Sequence, residues 1–388
     1  MKILFLDQSG ALGGAELCLL DILSELPAAC MVGLLQDGPF RERLEAHQIP
    51  VQVLSQAGIK TRKESSLLQG MAGFVQLLPI IRRTTRLAQD CDLIYANTPK
   101  ALILGACASV LTGLPLVYHL HDIISADHFS ATNRKLLILL ANRCCRQVIA
   151  NSEATKAAFI AAGGNEAKVS VVYNGFRPGD YRVEAGVRDR IRQELDLDHR
   201  FVVGHFSRLS PWKGQHVLIE ALTHCPENVC ALLIGDALFG EDYYVQELHR
   251  QVESLQLQHR VKFLGFRTDV PEMMAACDLV AHTSTAPEPF GRVVVEAMLC
   301  QRPVVAAAAG GAVELVSHHK TGWLSPPGDA PALAAIINTC RDQPETAAIV
   351  ARQAEQQAHK RFHLSQTNTQ VYSLLSLAPL PTVAIDPA

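Results

Sequence analysis

The chain is 388 residues long, more than one ordinary hydrophobic core accommodates and enough for two domains. With 48% hydrophobic and 19% charged residues both cores can be built, which excludes bulk disorder. A formal net charge of −3 lacks the basic excess of a general nucleic-acid binder, so no nucleic-acid partner is expected.

The first residues, Met1-Lys2-Ile3-Leu4-Phe5-Leu6, run directly into strand-like sequence without the features of a signal peptide. No uncharged apolar run reaches membrane-spanning length. The expected location is therefore the cytoplasm. Strands are expected at Lys2–Leu6, Met31–Leu35, Val51–Leu54, Asp92–Ala96, Pro115–His119 and Gln147–Ala150, with amphipathic helices between them, such as Ala15–Leu26 and Gln69–Ala88. Strand, helix, strand at this spacing implies a parallel sheet covered by helices.

One helical stretch has a second reading. Lys60, Arg62 and Lys63 precede the apolar run Leu67–Ile81, and Arg82, Arg83 and Arg86 follow it. Basic flanks of this kind suit peripheral contact with an anionic membrane, at the inner surface for a cytoplasmic protein. A core-facing helix with solvated ends fits the same residues.

A boundary falls at Val171–Gly179, where Asn174-Gly175 and Pro178-Gly179 are turn dipeptides. The expected domains are residues 1–178 and 179–360, with a closing segment 361–388 whose last residues, Ala378–Ala388, fray. After the charged stretch Arg182–Arg200, strands are expected at Phe201–His205, Ala231–Ile234, Val261–Leu264, Leu279–His282, Pro303–Ala306 and Gly322–Leu324. The fold class is thus α/β, with two Rossmann-like domains. The eleven cysteines form no Cys-x-x-Cys pair, and Cys18, Cys107 and Cys277 sit in apolar runs, as buried thiols in a reducing compartment do. Adjacent Cys144 and Cys145 have no ligand-spaced partner, and no metal site is expected.

The stretch richest in chemistry is Glu288-Pro289-Phe290-Gly291-Arg292-Val293-Val294-Val295-Glu296. It follows a strand and opens a helix near Arg292, whose first amides suit a phosphate. Glu288 lies in the loop, and Glu296, one turn in, suits a pair of ribose hydroxyls. A capped helix with two solvated glutamates is the alternative.

Arg208 and Lys213 sit on the loop after the first strand of the second sheet, at the strand end where open parallel sheets bind ligands. Two cations there can offset a diphosphate leaving group, although each alone is an ordinary surface charge. The loop Gln8–Glu16, with Gly13 and Gly14, lacks the full dinucleotide fingerprint and reads equally as a tight turn or as a backbone approach to phosphate or sugar.

His121, at the end of another strand, can position a hydroxyl or serve structurally. His119 and His121, two apart on a strand, are expected to point to opposite faces, which disfavours a zinc pair. Asp196-Leu197-Asp198 precedes a strand, away from the ligand end, and reads as loop charge.

Taken in order, these pieces resemble family-4 retaining glycosyltransferases of the GT-B fold. The likeness is carried by Gly13-Gly14-Ala15-Glu16, His121-Asp122, Asn151-Ser152-Glu153, Asn174-Gly175, Arg208 with Lys213-Gly214, Gly235-Asp236, Phe263-Leu264-Gly265, Glu288 through Glu296, and Gly310-Gly311 with Glu314. It implies two Rossmann-like domains facing across a cleft, and transfer of a hexose-type sugar from a nucleotide diphosphate to an acceptor hydroxyl with retention of configuration. The acceptor would be a glycan, a lipid or a small molecule.

The resemblance also implies roles. Arg208 and Lys213 would bind the diphosphate, Glu296 the ribose, and Glu288 the sugar hydroxyls. The amides of Phe290, Gly291, Arg292 and Val293 would bind phosphate or sugar. Gly13, Gly14 and His121 would face the substrates from the first domain, with the base near Gly265 in Leu264–Arg267. No cofactor and no metal would be needed, and the helix around Ala351–Arg361, with the segment 361–388 after it, would cross back onto the first domain. Rival functions on the same scaffold are a phosphorylase, a sugar-nucleotide epimerase and a non-catalytic sugar- or nucleotide-binding homologue.

Overall fold

The computed structural model describes residues 1–8, 10–26, 28–55, 67–126, 129–238 and 240–376, with the backbone alone over 67–76. The chain forms two compact units. One is Met1–Gly175 joined by the chain from Leu364, and the other is Phe176–His363.

In the first unit, β1 (Lys2–Asp7), β2 (Ala29–Leu34), β3 (Val51–Val53), β4 (Leu93–Ala96), β5 (Leu116–Leu120), β6 (Cys145–Ala150) and β7 (Val169–Val171) form one sheet. Its order is β3-β2-β1-β4-β5-β6-β7, parallel throughout. Ile3, Leu4, Phe5 and Leu6 are fully buried, because helices cover both faces and every side chain of a central strand meets a core. The three residues of β7 carry too short a pattern to have been expected.

The helix Leu67–Ala88 turns Ile80, Ile81, Thr84 and Ala88 inward, while Arg82 and Arg86 are exposed and Arg83 donates to the Leu54 carbonyl at 2.9 Å. Lys60, Arg62 and Lys63 lie outside the described residues, as does the tail Ala378–Ala388. Among the described residues, no helix is long and apolar enough to cross a membrane.

In the second unit, β8 (Phe201–Phe206), β9 (Val229–Ile234), β10 (Val261–Gly265), β11 (Leu279–His282), β12 (Val304–Ala307) and β13 (Trp323–Ser325) form a parallel sheet ordered β10-β9-β8-β11-β12-β13. Each expected strand of this half lies within two residues of an observed one. In both sheets the order runs outward one way from the first strand and then resumes on its other side with the fourth. That reversal defines the doubly wound Rossmann topology, and it opens a crevice at the carboxyl ends of the two central strands.

Asp196-Leu197-Asp198 follows the helix Val187–Glu194 as a turn at the amino end of β8, pinned by the buried Leu197. The helix Pro344–Arg361, which contains Ala351–Arg361, belongs to the second unit, where Ala347 and Val350 enter the core. The following helix, Leu364–Ser376, is the one that joins the first unit. Its Val371 and Leu375 pack with Cys18, Leu19 and Val172.

Candidate functional site

In the second unit the reversal lies between β8 and β11, and the loops leaving those strands carry the expected residues. From the β8 loop, Lys213 places Nζ 2.7 Å from Oε2 of Glu288 on the β11 loop. Ser284 Oγ donates to the same oxygen at 2.9 Å, and His282 Nε2 lies 3.2 Å from it. Burial alone would raise the Glu288 pKa, but Lys213 and His282 override it and hold the carboxyl well below the usual carboxylate range. Lys213 also stands over the Trp212 ring, 4.0 Å from its centroid.

The loops approach this closely because of glycine. Gly214 has φ +74, and a Cβ there would lie 2.0 Å from the Thr283 carbonyl oxygen. The Thr283 hydroxyl donates to the Gly214 carbonyl at 2.8 Å and sits 2.9 Å from His205 Nε2. Burial, with His282 nearby, lowers His205 to a pKa of about 3, so its imidazole is neutral. Gly310, at φ +63, passes so near Glu288 that a Cβ would lie 2.3 Å from the Glu288 carbonyl oxygen, and the Gly311 amide donates to that oxygen at 2.7 Å.

Gly291, left-handed at φ +98, turns the chain into the helix Arg292–Leu299, and the amides of Arg292 and Val293 open it. Arg292 Nε lies 3.4 Å from Glu296 Oε1, a largely buried pair one turn apart, and its guanidinium stands 4.5 Å over the Phe176 ring. The Phe290 side chain is 2% exposed and packs with Phe176 and Phe362. It is a core residue, and what remains for a ligand at Phe290 is backbone.

Arg208 faces Glu241 at 3.4 Å, a carboxylate that also accepts from Ser210. The two expected cations are therefore each matched to an acid, Lys213 to Glu288 and Arg208 to Glu241. Gly265 ends β10 at φ +66, accepts from the Gly235 amide at 2.8 Å, and lies beside Asp236, which accepts from the Phe266 amide.

In the first unit the reversal lies between β1 and β4. Asn97, just past β4, donates from Nδ2 to Asp7 Oδ2 at 2.6 Å and to the Ala15 carbonyl at 3.1 Å. Its Oδ1 lies 2.9 Å from His121 Nε2. Gly13 caps the helix Gly14–Leu23 in an ordinary extended conformation. Its lack of a side chain matters for another reason, since a Cβ would lie 2.8 Å from Glu16 Oε2. Glu16 reaches back to the Gly13 and Glu16 amides, the acid half of a capping box. Burial, then the Asp7 carboxylate, push Glu16 up to about 8, and burial raises Asp122 to about 6. Gly14 is exposed in the first turn.

The opposite-face expectation for His119 and His121 is corrected here. β5 ends at Leu120, so the strand alternation stops before His121, and the two ring centroids are 3.9 Å apart.

Sequence reasoning passed over Asp7, Asn97, His282 and Ser284. Each is a polar residue at or just beyond the carboxyl end of an apolar strand beside the reversal, and that placement is the signal that could have found them.

The model of the Glycosyltransferase Family 4 matches residues 12–179, and that of the Glycosyl transferases group 1 matches residues 187–357. The crystal structure of Anabaena HepE in complex with UDP and glucose is 53% identical, covers 97% of this chain and 100% of that one, and superposes with a TM-score of 0.91. The chain belongs to the group 1 glycosyl transferases. It is a glycosyltransferase of GT-B architecture. D-inositol 3-phosphate glycosyltransferase of Corynebacterium efficiens is 27% identical over 83% of this chain and 78% of its own. Spore coat protein SA of Bacillus subtilis is 31% identical over 40% of this chain, and the match spans 45% of that protein. The sucrose-phosphate synthase of Thermosynechococcus elongatus, at 19% identity and a TM-score of 0.82, shares the fold.

Proposed function

We propose that this group 1 glycosyl transferase moves a hexose from a UDP-sugar to an acceptor hydroxyl, with UDP-glucose as the donor to test first. The carrying observation is the buried cluster of Lys213, Glu288, His282 and Ser284 at the strand-order reversal of the second sheet. The choice of UDP-glucose is supported by the 53% likeness to HepE, which was crystallised with UDP-glucose and with UDP and glucose.

Lys213 and Arg208 offset charge as the diphosphate departs, and the helix opening at Arg292 and Val293 adds its positive end. Glu296 takes the ribose hydroxyls. Glu288 receives Lys213, Ser284 and His282 on Oε2 and is held in its charged form, which makes it a poor base and a poor nucleophile. Its Oε1 is assigned to the hydroxyls of the transferred sugar.

With Glu288 unsuited to attack, the acceptor oxygen bonds to the anomeric carbon as the bond to the diphosphate breaks. The acceptor proton passes to the departing phosphate oxygen on the same face, which retains configuration. Cations and a helix end supply the positive charge, so no metal ion and no cofactor is required. Gly13, Gly14 and His121 of the first unit are assigned to the substrates. The basic residues around Leu67–Ile81 are assigned to peripheral contact with anionic lipid on the cytoplasmic side, which liposome co-sedimentation tests.

A thermal-shift panel of UDP, UDP-glucose, ADP-glucose and GDP-mannose tests the donor, because a ligand of the native state raises its apparent stability. The uridine compounds are expected to raise the midpoint. A shift with the other bases alone would overturn the assignment. UDP release should survive chelation of divalent ions, and the anomeric configuration of the product is read by NMR.

A further inference from the structure

The first unit holds a cluster in which sugar transfer has a use for His121 alone. We propose that Cys18, His119 and His121 form a binding site for Zn2+. One donor atom from each of the three lies within 4.8 Å of the others. A tetrahedral Zn2+ with sulfur and nitrogen ligands sets neighbouring donors about 3.3–3.6 Å apart, by its bond lengths of about 2.3 and 2.0–2.1 Å. Small side-chain rotations close that difference.

The pointing observation is His119. It is 1% exposed, and its Nε2 is buried with no hydrogen-bond partner. Its Nδ1 lies 2.6 Å from the Tyr95 hydroxyl. A histidine that ligates a metal through one nitrogen commonly donates from the other to an oxygen, which fixes the ring and its tautomer. Here the oxygen is present and the ligating nitrogen has nothing to bind.

His121 is set up in the complementary way. Asn97 spends its amide hydrogens on Asp7 and Ala15, so its Oδ1 accepts from His121 Nε2–H, which makes Nδ1 the unprotonated nitrogen of the ring. The Cys18 thiol donates to Asn174 Oδ1 at 3.2 Å. On binding, Cys18 releases its proton to water, the sulfur–zinc bond forms, and the Asn174 amide turns to donate to the thiolate. Two imidazoles and one thiolate suit Zn2+, with a water in the fourth position. Occupancy removes His121 from the substrates, so Zn2+ inhibits turnover. This inhibitory consequence rests on the role proposed for His121, whereas binding does not.

The test uses the full chain, reduced and stripped of metal, titrated with Co2+ as a coloured substitute for Zn2+. One equivalent should bring up a thiolate-to-cobalt charge-transfer band that Zn2+ then abolishes. Cys18→Ser should lose the band, and Tyr95→Phe should weaken binding about 10–100-fold by removing the support of His119. The half-exposed His121→Ala gives a second ligand deletion should Cys18→Ser fold poorly, with the thermal midpoint of each variant as the control. A wild-type protein without the band, or a folded Cys18→Ser protein that keeps it, overturns the site. Turnover untouched by bound Zn2+ overturns the role of His121 and leaves the site standing.

Discussion

Lys213 and Glu288 meet at 2.7 Å across the strand-order reversal of the second sheet, from loops 75 residues apart in sequence. Both side chains are largely buried, at 17% and 11% exposure. Such a pair costs much desolvation to form, and breaking it leaves a buried charge unmatched.

Lys213→Ala should therefore lower stability by about 3–5 kcal/mol and abolish donor binding. Lys213→Met combined with Glu288→Gln should recover most of the stability and none of the activity. Urea denaturation of the single and double variants reads the coupling. Additive losses would show that the two groups do not depend on each other.

The same pair has a pH signature. The carboxyl of Glu288 titrates lower in the folded chain than in the unfolded one. Its contribution is complete above the ordinary carboxylate range and is lost as pH falls toward the folded value. Wild type should shed stability on acidification, and Glu288→Gln should shed less. Parallel acid-unfolding curves would contradict the assignment.

Glu16 runs the other way. Its folded pKa of about 8 exceeds the ordinary 4.5, so its stabilisation is complete below the ordinary value and is lost as pH rises through the folded one. Glu16→Gln, which cannot ionise, should flatten the decline in thermal midpoint between those two values. A wild-type midpoint that does not fall over that range would show that Glu16 is not buried in its acid form.

For Glu296, the expected effect is on donor use. Hydrogen bonds to a charged group are worth about 1.5–3 kcal/mol, so Glu296→Ala should lower kcat/KM for the nucleotide sugar roughly tenfold to a hundredfold. Full activity in both Glu296→Ala and Lys213→Ala would remove the site from this loop and helix.

Gly214→Ala places a Cβ on the Thr283 carbonyl and forces a left-handed residue, which alone costs about 1–2 kcal/mol. Activity should fall with stability, because Gly214 carries Lys213 toward Glu288. An unchanged urea midpoint would mean that the loop has room to spare.

What was legible before the structure follows from how each feature is encoded. Strands buried on both faces, such as Lys2–Asp7 and Val229–Ile234, are written as continuous apolar runs and could be read directly. The loops after β8 and β11 carry glycine, proline and charge, so Lys213 and Glu288 stood out, although their contact is a tertiary fact with no local trace. Where the Phe290 ring packs was not legible, because a turn residue gives no sign of the way its side chain turns. His121 was misplaced because strand alternation was carried one residue past the strand end. Asn97 and His282 were missed because a single polar residue closing an apolar run looks like punctuation until the neighbouring strand is known.

The helix Leu364–Ser376 completes the core of a unit whose other residues end at Gly175. During synthesis, the ribosome makes all of 176–363 before the N-terminal unit can close over Val371 and Leu375, so the later-made unit is the first able to mature. A stop codon just after His363 would thus damage the part of the protein most distant from it in sequence. The inserted unit, whose Phe176 amide bonds the Phe362 carbonyl at 2.8 Å, has neighbouring ends and could be expressed as one uninterrupted piece.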